Sequence, residues 1–360
     1  MCYHPNILCC QNNKIIKKDG NKGTARHKII FSHSNEFKGY EFYINENNRL
    51  KEIYKNSEEK PIQYKLIPCG KCIACRKSET LSWATRIELE TKQYKNNYFI
   101  TLTYNEQNIP IPDRTVNTKT GEIYYNDGSW KGTVVKEHIS QFMKKLRRYF
   151  EYHYEWQGCK FYACSEYGEL GNRPHYHLIL MNSPEIEMQP IGANTKTKHP
   201  YYTNLKIEEI WGKGFINIGK VSWDSISYVT GYCQKKLFGE IGEEYFKKQG
   251  QEPVFALMSR RPGIGRNWYE EHKKQIYNLD EIINSKGKAI KPPSYFDRLM
   301  DIAEHDVMEN IKEIRQTNQE IKLKEKMKKT GLTIKEQLEV EERTAQDKQK
   351  HYNRGRIKNV

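Results

Sequence analysis

The sequence predicts an α+β fold: a ferredoxin-like, split βαβ antiparallel sheet, preceded by a Cys-rich segment and followed by a charged helical tail. Three observations predict it. Between residues 98 and 236, period-two and period-3.6 apolar spacings alternate in the order β-α-β-β-α-β, then α. A crowded run of cysteines, Cys69, Cys72 and Cys75, stands just before that alternation. From residue 295 onward apolar positions thin out and charged residues dominate.

Each element has its own reason. Residues 1–66 are polar and rich in Asn and Lys, with short strand-like pieces at 28–31 and 40–44, so an irregular or small β segment is expected. A helix is expected over 79–95, where Trp83, Ile87 and Tyr94 share a side. Tyr98–Tyr104 (Y-F-I-T-L-T-Y) is β-branched and aromatic, which marks a strand. Residues 105–133 hold Pro, Asn, Asp and Gly without periodicity and read as a long loop or a small hairpin. Over 138–150, Ile139, Phe142, Met143, Leu146 and Phe150 recur at helical spacing, with Lys144, Lys145, Arg147 and Arg148 on the other side. Strands at 160–166 and 175–181 flank a turn-like stretch, and a short helix at 205–211, a strand at 215–221 and a helix at 225–236 complete the series. Such an order places helices on one face of the sheet. The expected segments are 1–78 (N-terminal, with the Cys cluster), 79–240 (sheet domain), 241–294 (a basic extension containing the Gly/Pro loop 259–265) and 295–360 (a helical or partly disordered tail). A fold of this kind hosts many activities, so function has to come from the site.

Composition narrows the partners. Sixty Lys plus Arg against 45 Asp plus Glu give a formal net charge of +15, which favours a polyanion because each cation meeting a phosphate releases counterions. The 25 Tyr, 12 Phe and 6 Trp fit a basic groove with aromatic faces, the usual way a single strand is held. The mean hydropathy of −0.90 fits one compact core with long polar surfaces. No apolar run has the length of a membrane span, so no membrane role is expected. The start, Met1-Cys2-Tyr3-His4-Pro5, lacks the layout of a secretion signal, and nine Cys, an odd number, point to reduced thiols in a cytosol.

Three constellations can carry chemistry. His175 and His177 sit two apart in an apolar strand, so their rings leave the same face, as two ligands of one metal must. Glu166 ends the preceding strand and can lie beside His175 across the hairpin; two His and a carboxylate hold a divalent ion with positions left for substrate oxygens. Glu169, in the turn, ranks second. Tyr228 and Tyr232 are i and i+4 on a helix, so both phenols project together, with Lys235 or Lys236 a turn further on. Taken alone, the His pair equally suits two packed histidines, and the tyrosines equally suit a helix core. Cys69, Cys72 and Cys75 are three quarters of a tetrahedral zinc site, with Cys2, Cys9, Cys10 or His4 as the fourth ligand. An iron–sulfur cluster or metal-free thiols remain alternatives there.

In combination these motifs resemble the HUH endonucleases, named for the His–hydrophobic–His pair, and specifically the replication initiators (Rep proteins) of gokushovirus-like Microviridae, small single-stranded DNA phages. The resemblance covers roughly residues 67–265. It rests on C-G-K-C-I-A-C-R at 69–76, F-I-T-L-T-Y at 99–104, S-E-Y-G at 165–168, R-P-H-Y-H-L-I-L at 173–180, Y-V-T-G-Y-C-Q-K-K at 228–236 and S-R-R-P-G-I-G at 259–265. It implies that 79–240 is an HUH endonuclease domain that nicks DNA and transfers the strand to start rolling-circle replication. On that resemblance Glu166, His175 and His177 bind Mg²⁺ or Mn²⁺, and Tyr228 or Tyr232 attacks the phosphate, leaving a 5′-phosphotyrosine and a free 3′-hydroxyl. Lys235 or Lys236 then orients or neutralises the phosphate, and Arg76, Thr101, Thr103, Tyr104 and Arg173 contact DNA. The implied partners are single-stranded DNA at a replication origin and host replication proteins, in the cytoplasm of a bacterial host cell. The tyrosines follow the His pair, an order that favours initiators over conjugative relaxases. The sequence departs from the pattern at Tyr176, amphipathic where the family is aliphatic, which is tolerable if it points to the opposite face. Zn²⁺ at Cys69, Cys72, Cys75 and Cys2 stays apart from the nuclease core. Two other readings stay open: a non-catalytic, zinc-containing nucleic-acid-binding protein, and a metal-dependent nuclease whose nucleophile is water.

Overall fold

The computed structural model describes residues 2–10, 27–30, 40–44, 50–54, 64–168, 171–193, 200–235 and 239–357. The chain divides into two compact units, residues 1–78 with 298–360, and residues 79–297. In the first, β1 (Asn6–Cys10), β2 (His27–Ile30), β3 (Tyr40–Ile44), β4 (Leu50–Tyr54) and β5 (Tyr64–Ile67) make two small antiparallel sheets, β2-β1-β5 and β3-β4. Helix α1 (Ile73–Thr91) follows. It begins and ends earlier than the apolar spacing predicts, because the Asn97 amide donates to the carbonyls of Thr91 and Tyr94, which a longer helix would claim.

The second unit continues with β6 (Tyr98–Tyr104), β7 (Arg114–Val116), β8 (Ile123–Tyr125), α2 (Lys136–Tyr154), β9 (Lys160–Tyr167), β10 (Pro174–Met181), β11 (Gln189–Ala193) and β12 (Pro200–Thr203). Then come α3 (Leu205–Trp211), β13 (Gly214–Lys220), α4 (Trp223–Lys235), α5 (Gly239–Lys248), β14 (Ala256–Met258), α6 (Arg266–Leu279), β15 (Ile282–Ile283) and β16 (Ala289–Ile290). The tail is helical: α7 (Ser294–Ala303), α8 (His305–Thr330) and α9 (Ile334–Ile357). Among the described residues no helix is long and apolar enough to cross a membrane.

The main sheet has the order β11-β12-β13-β6-β10-β9-β14, with antiparallel neighbours throughout. Its centre, β13-β6-β10-β9, comprises the four strands expected from the alternation. On one face Ile100, Leu102, Tyr104, Tyr176, Leu178 and Leu180 pack against Ile139, Phe142, Met143 and Leu146 of α2 and Ile207 and Trp211 of α3. The sequence expectation of helices on one face is corrected here. The opposite face carries buried Tyr162, Ile179 and Met181, and Ala84 and Ile87 of α1 with Ile226 and Val229 of α4 cover them. Fully burying each such side chain is worth about 1.5–3 kcal/mol, so that face closes under helices as well.

The expected boundary at 241 is also displaced. β14 pairs with β9, and the segment before α6 is held to α1: the Arg86 Nε donates to the Ile264 carbonyl at 3.0 Å, and its guanidinium lies between the Trp83 and Tyr295 rings. Glu90 accepts the Gly265 N–H and pairs with Lys160 at 2.7 Å, both side chains buried. The extension is therefore part of the sheet unit, through contacts between residues far apart in sequence.

Candidate metal and nucleophile site

The two-residue repeat of β10 sends His175 and His177 to one face, and β9 runs antiparallel beside it with Glu166 directly opposite His175. His175 Nε2 and His177 Nε2 each lie 3.2 Å from the same oxygen, Glu166 Oε2. Glu166 and His177 are buried and His175 half-buried, but their polar atoms face one another instead of apolar side chains. The intervening Tyr176 points to the other face, where its hydroxyl meets the Tyr104 hydroxyl at 2.7 Å.

The far side of each ring is held too. His175 Nδ1 is 3.0 Å from the Arg173 carbonyl oxygen. A carbonyl only accepts, so Nδ1 carries the hydrogen and the neutral ring presents a lone pair at Nε2. His177 Nδ1 is 3.1 Å from Thr101 Oγ1, and the Phe99 ring stacks on the imidazole at 5.6 Å. Two imidazole lone pairs and a carboxylate converging on one point require a cation among them, either protons on the rings or one divalent ion. Supported Nδ1 atoms are the usual second partners of metal-bound histidines, so these residues fit such an ion.

Helix α4 crosses this face of the sheet. Ile226 and Val229 anchor it in the core, which turns Tyr228 toward the triad. The Tyr228 hydroxyl donates to Glu166 Oε2 at 3.4 Å, and its ring meets His177 edge-on at 5.1 Å. At 36% exposed, this tyrosine remains open to solvent while touching the triad. Tyr232 and Lys235 follow on the same helix, with side chains outside the described residues, as are Lys236 and Glu169 altogether.

The predicted DNA contacts separate. Thr103 is half-buried and opposite His175 in register, on the triad's face. Thr101, on that face too, holds His177. Tyr104 is corrected: it is 0% exposed on the α2 face, where its hydroxyl meets His138 Nδ1 at 2.7 Å, so it is a core residue. The Arg173 guanidinium donates to the Tyr104 carbonyl at 2.6 Å and pairs with Glu106. Arg76 lies on the first turns of α1, half-buried, in the other unit. Sequence reasoning missed Phe99 and the role of Thr101, although their parity on β6 already set them apart from Tyr104.

In the first unit Cys2, Cys69, Cys72 and Cys75 bring their Sγ atoms within 4.8 Å of one another. Gly70, at φ +74°, turns the chain so that the Lys71 and Cys72 N–H groups donate to Cys69 Sγ at 3.4 and 3.3 Å. Burial pushes the Cys72 thiol up, but backbone N–H donors from Cys75 and Tyr3 and thiol contacts outweigh it and bring it down to about 7.

Fold and site thus define an α+β protein whose antiparallel sheet presents a three-residue cation site beside a tyrosine. The family model for the ORF2-type replication-associated protein matches residues 97–237, the stretch that contains the triad and α4. The chain is 34% identical over 239 residues to replication-associated protein ORF2 of Spiroplasma virus 4, covering 65% of this chain and 68% of that one. It is 25% identical over 233 residues to replication-associated protein VP4 of Bdellovibrio phage phiMH2K, covering 64% and 65% respectively. Against replication-associated protein ORF4 of Chlamydia phage 1 it is 27% identical over 237 residues, 65% of this chain but 53% of that one. The chain belongs to this family of phage replication-associated proteins. No solved structure matches it.

Proposed function

We propose that the chain is a site-specific single-stranded DNA endonuclease and strand transferase of the HUH type that initiates rolling-circle replication of a phage genome. The observation that carries this reading is Tyr228, whose hydroxyl sits 3.4 Å from the carboxylate that joins His175 and His177. A triad alone suits any metal-dependent hydrolase, whereas a solvent-open phenol against it suits covalent transfer. The central strand order β13-β6-β10-β9, the basic charge and the replication-associated relatives support the same reading.

A Mg²⁺ or Mn²⁺ ion held by Glu166, His175 and His177 would polarise the scissile phosphate. Thr101 and the Arg173 carbonyl keep both rings turned toward that point. Tyr228 Oη attacks phosphorus: the Tyr O–P bond forms, the P–O3′ bond breaks, the phenol gives up its proton and the leaving 3′-oxygen gains one. Tyrosine is poorly ionised near neutrality, its reference pKa being about 10, so a nearby cation lowers the cost of attack. The phosphotyrosine ester keeps the bond energy for later rejoining, and Tyr232, a turn along α4, is placed to serve a second cleavage.

The test uses oligonucleotides tiled across the single-stranded genome that encodes the chain, with Mn²⁺, resolved on a denaturing gel. A label at the 3′ end should migrate with the protein and a label at the 5′ end should not. Cleavage without any protein-bound label would mean water is the nucleophile, and no cleavage anywhere would leave only DNA binding.

A further inference from the structure

The cysteine cluster takes no part in the chemistry above, and its geometry is that of a metal site. We propose that Cys2, Cys69, Cys72 and Cys75 hold one structural Zn²⁺ that ties the N-terminus to the loop before α1. Zinc with four thiolates is tetrahedral, with Zn–S near ~2.3 Å, so the edges of the tetrahedron are about 3.8 Å. The Cys2 and Cys72 Sγ atoms stand 3.7 Å apart, and all four lie within 4.8 Å of one another. That spacing is far longer than a disulfide, which is about 2.05 Å. It is too tight to enclose a polynuclear iron–sulfur cluster, whose thiolates must stand outside the cluster.

The backbone around the sulfurs supports the same assignment. Cys69 Sγ accepts N–H from Lys71 and Cys72, and Cys2 Sγ accepts the Cys69 N–H at 3.3 Å. Amide donors aimed at sulfur favour the thiolate, the form that binds metal. Of the fourth ligands the sequence left open, Cys2 is the one in place, while His4 is paired with Glu342 at 2.7 Å. Tyr3, next to Cys2, packs with Leu323, Met327, Ile334 and Leu338 of the tail helices in the same unit. The ion would therefore fix the N-terminal residues that the helical tail packs upon.

The experiment measures metal content of the full chain, purified under reducing conditions from zinc-supplemented medium, for wild type, Cys72→Ser, Cys2→Ser and His175→Ala. Expected are one zinc per chain in wild type and His175→Ala, and at least a tenfold loss in Cys72→Ser. Cobalt exchanged into the wild-type chain should give thiolate charge-transfer absorption and tetrahedral d–d bands, a readout that needs no variant to fold. Cys2→Ser should weaken both while leaving the loop cysteines intact. A wild-type chain with neither zinc nor the cobalt bands, zinc that leaves with His175→Ala but stays in Cys72→Ser, or iron with polynuclear absorption would each overturn the proposal. Nicking is not read at any point, so the outcome is independent of the endonuclease reading.

Discussion

Replacing Tyr228 by Phe separates the chemistry of that residue from its packing. The ring stays, so its edge-on contact with His177 at 5.1 Å is kept. What goes is one hydroxyl, 3.4 Å from Glu166 Oε2, longer than the usual range of about 2.5–3.0 Å for an O–H···O bond, on a residue 36% exposed. A part-exposed bond of that length contributes no more than about 0.5–1 kcal/mol, which moves Tm by roughly 2–4 °C. Loss of the nucleophile, by contrast, should cut first-round adduct formation by at least ~1000-fold, about 4 kcal/mol in activation free energy. The assay is transfer of a 3′-end label to protein on a denaturing gel, with thermal melting and DNA-binding titrations alongside. Wild-type adduct levels from Tyr228→Phe, abolished only by Tyr232→Phe, would transfer the first cut to Tyr232. An adduct surviving in the double variant would refute tyrosine chemistry altogether.

Three further outcomes are expected. His175→Ala should lower Mn²⁺-dependent nicking by at least ~100-fold while DNA affinity changes by less than about twofold; a parallel fall in affinity would make the triad a DNA contact instead. Thr101→Val should weaken metal binding about 10–100-fold by freeing His177 Nδ1, with Thr101→Ser restoring most of it; a Val variant with wild-type metal titration would show that the ring needs no such partner. Tyr104→Phe should cost about 1–3 kcal/mol in denaturant unfolding, because His138 and Tyr176 lose a buried partner, and leave DNA binding unchanged. A drop in DNA affinity at unchanged stability would return Tyr104 to the DNA-contacting set.

Legibility in the sequence followed the range of the interactions. Period-two spacing on β6, β9, β10 and β13 and the 3.6 period of α2 are local, and they predict the four central strands in order. The same rule puts His175 and His177 on one face with Tyr176 on the other, and adjacency across a hairpin puts Glu166 beside them. Tyr104 reads as a DNA contact only when grouped with its motif; its parity on the strand matches Ile100 and Leu102 of the core.

The sequence by itself determined which residue types recur at which spacing, and hence the β-α-β-β-α-β order, the His pair, the tyrosine pair and the Cys triple. Only the tertiary structure decided that α1 and α4 cover the second face, that β14 and the 259–265 loop belong to the sheet unit, and that Tyr228 meets Glu166. It also selected Cys2 from four candidate ligands. These are contacts between residues separated by tens of positions. Spacing along a strand or helix fixes the direction in which a side chain points; which distant side chain it meets is set by packing of whole apolar faces, a property that no local window contains.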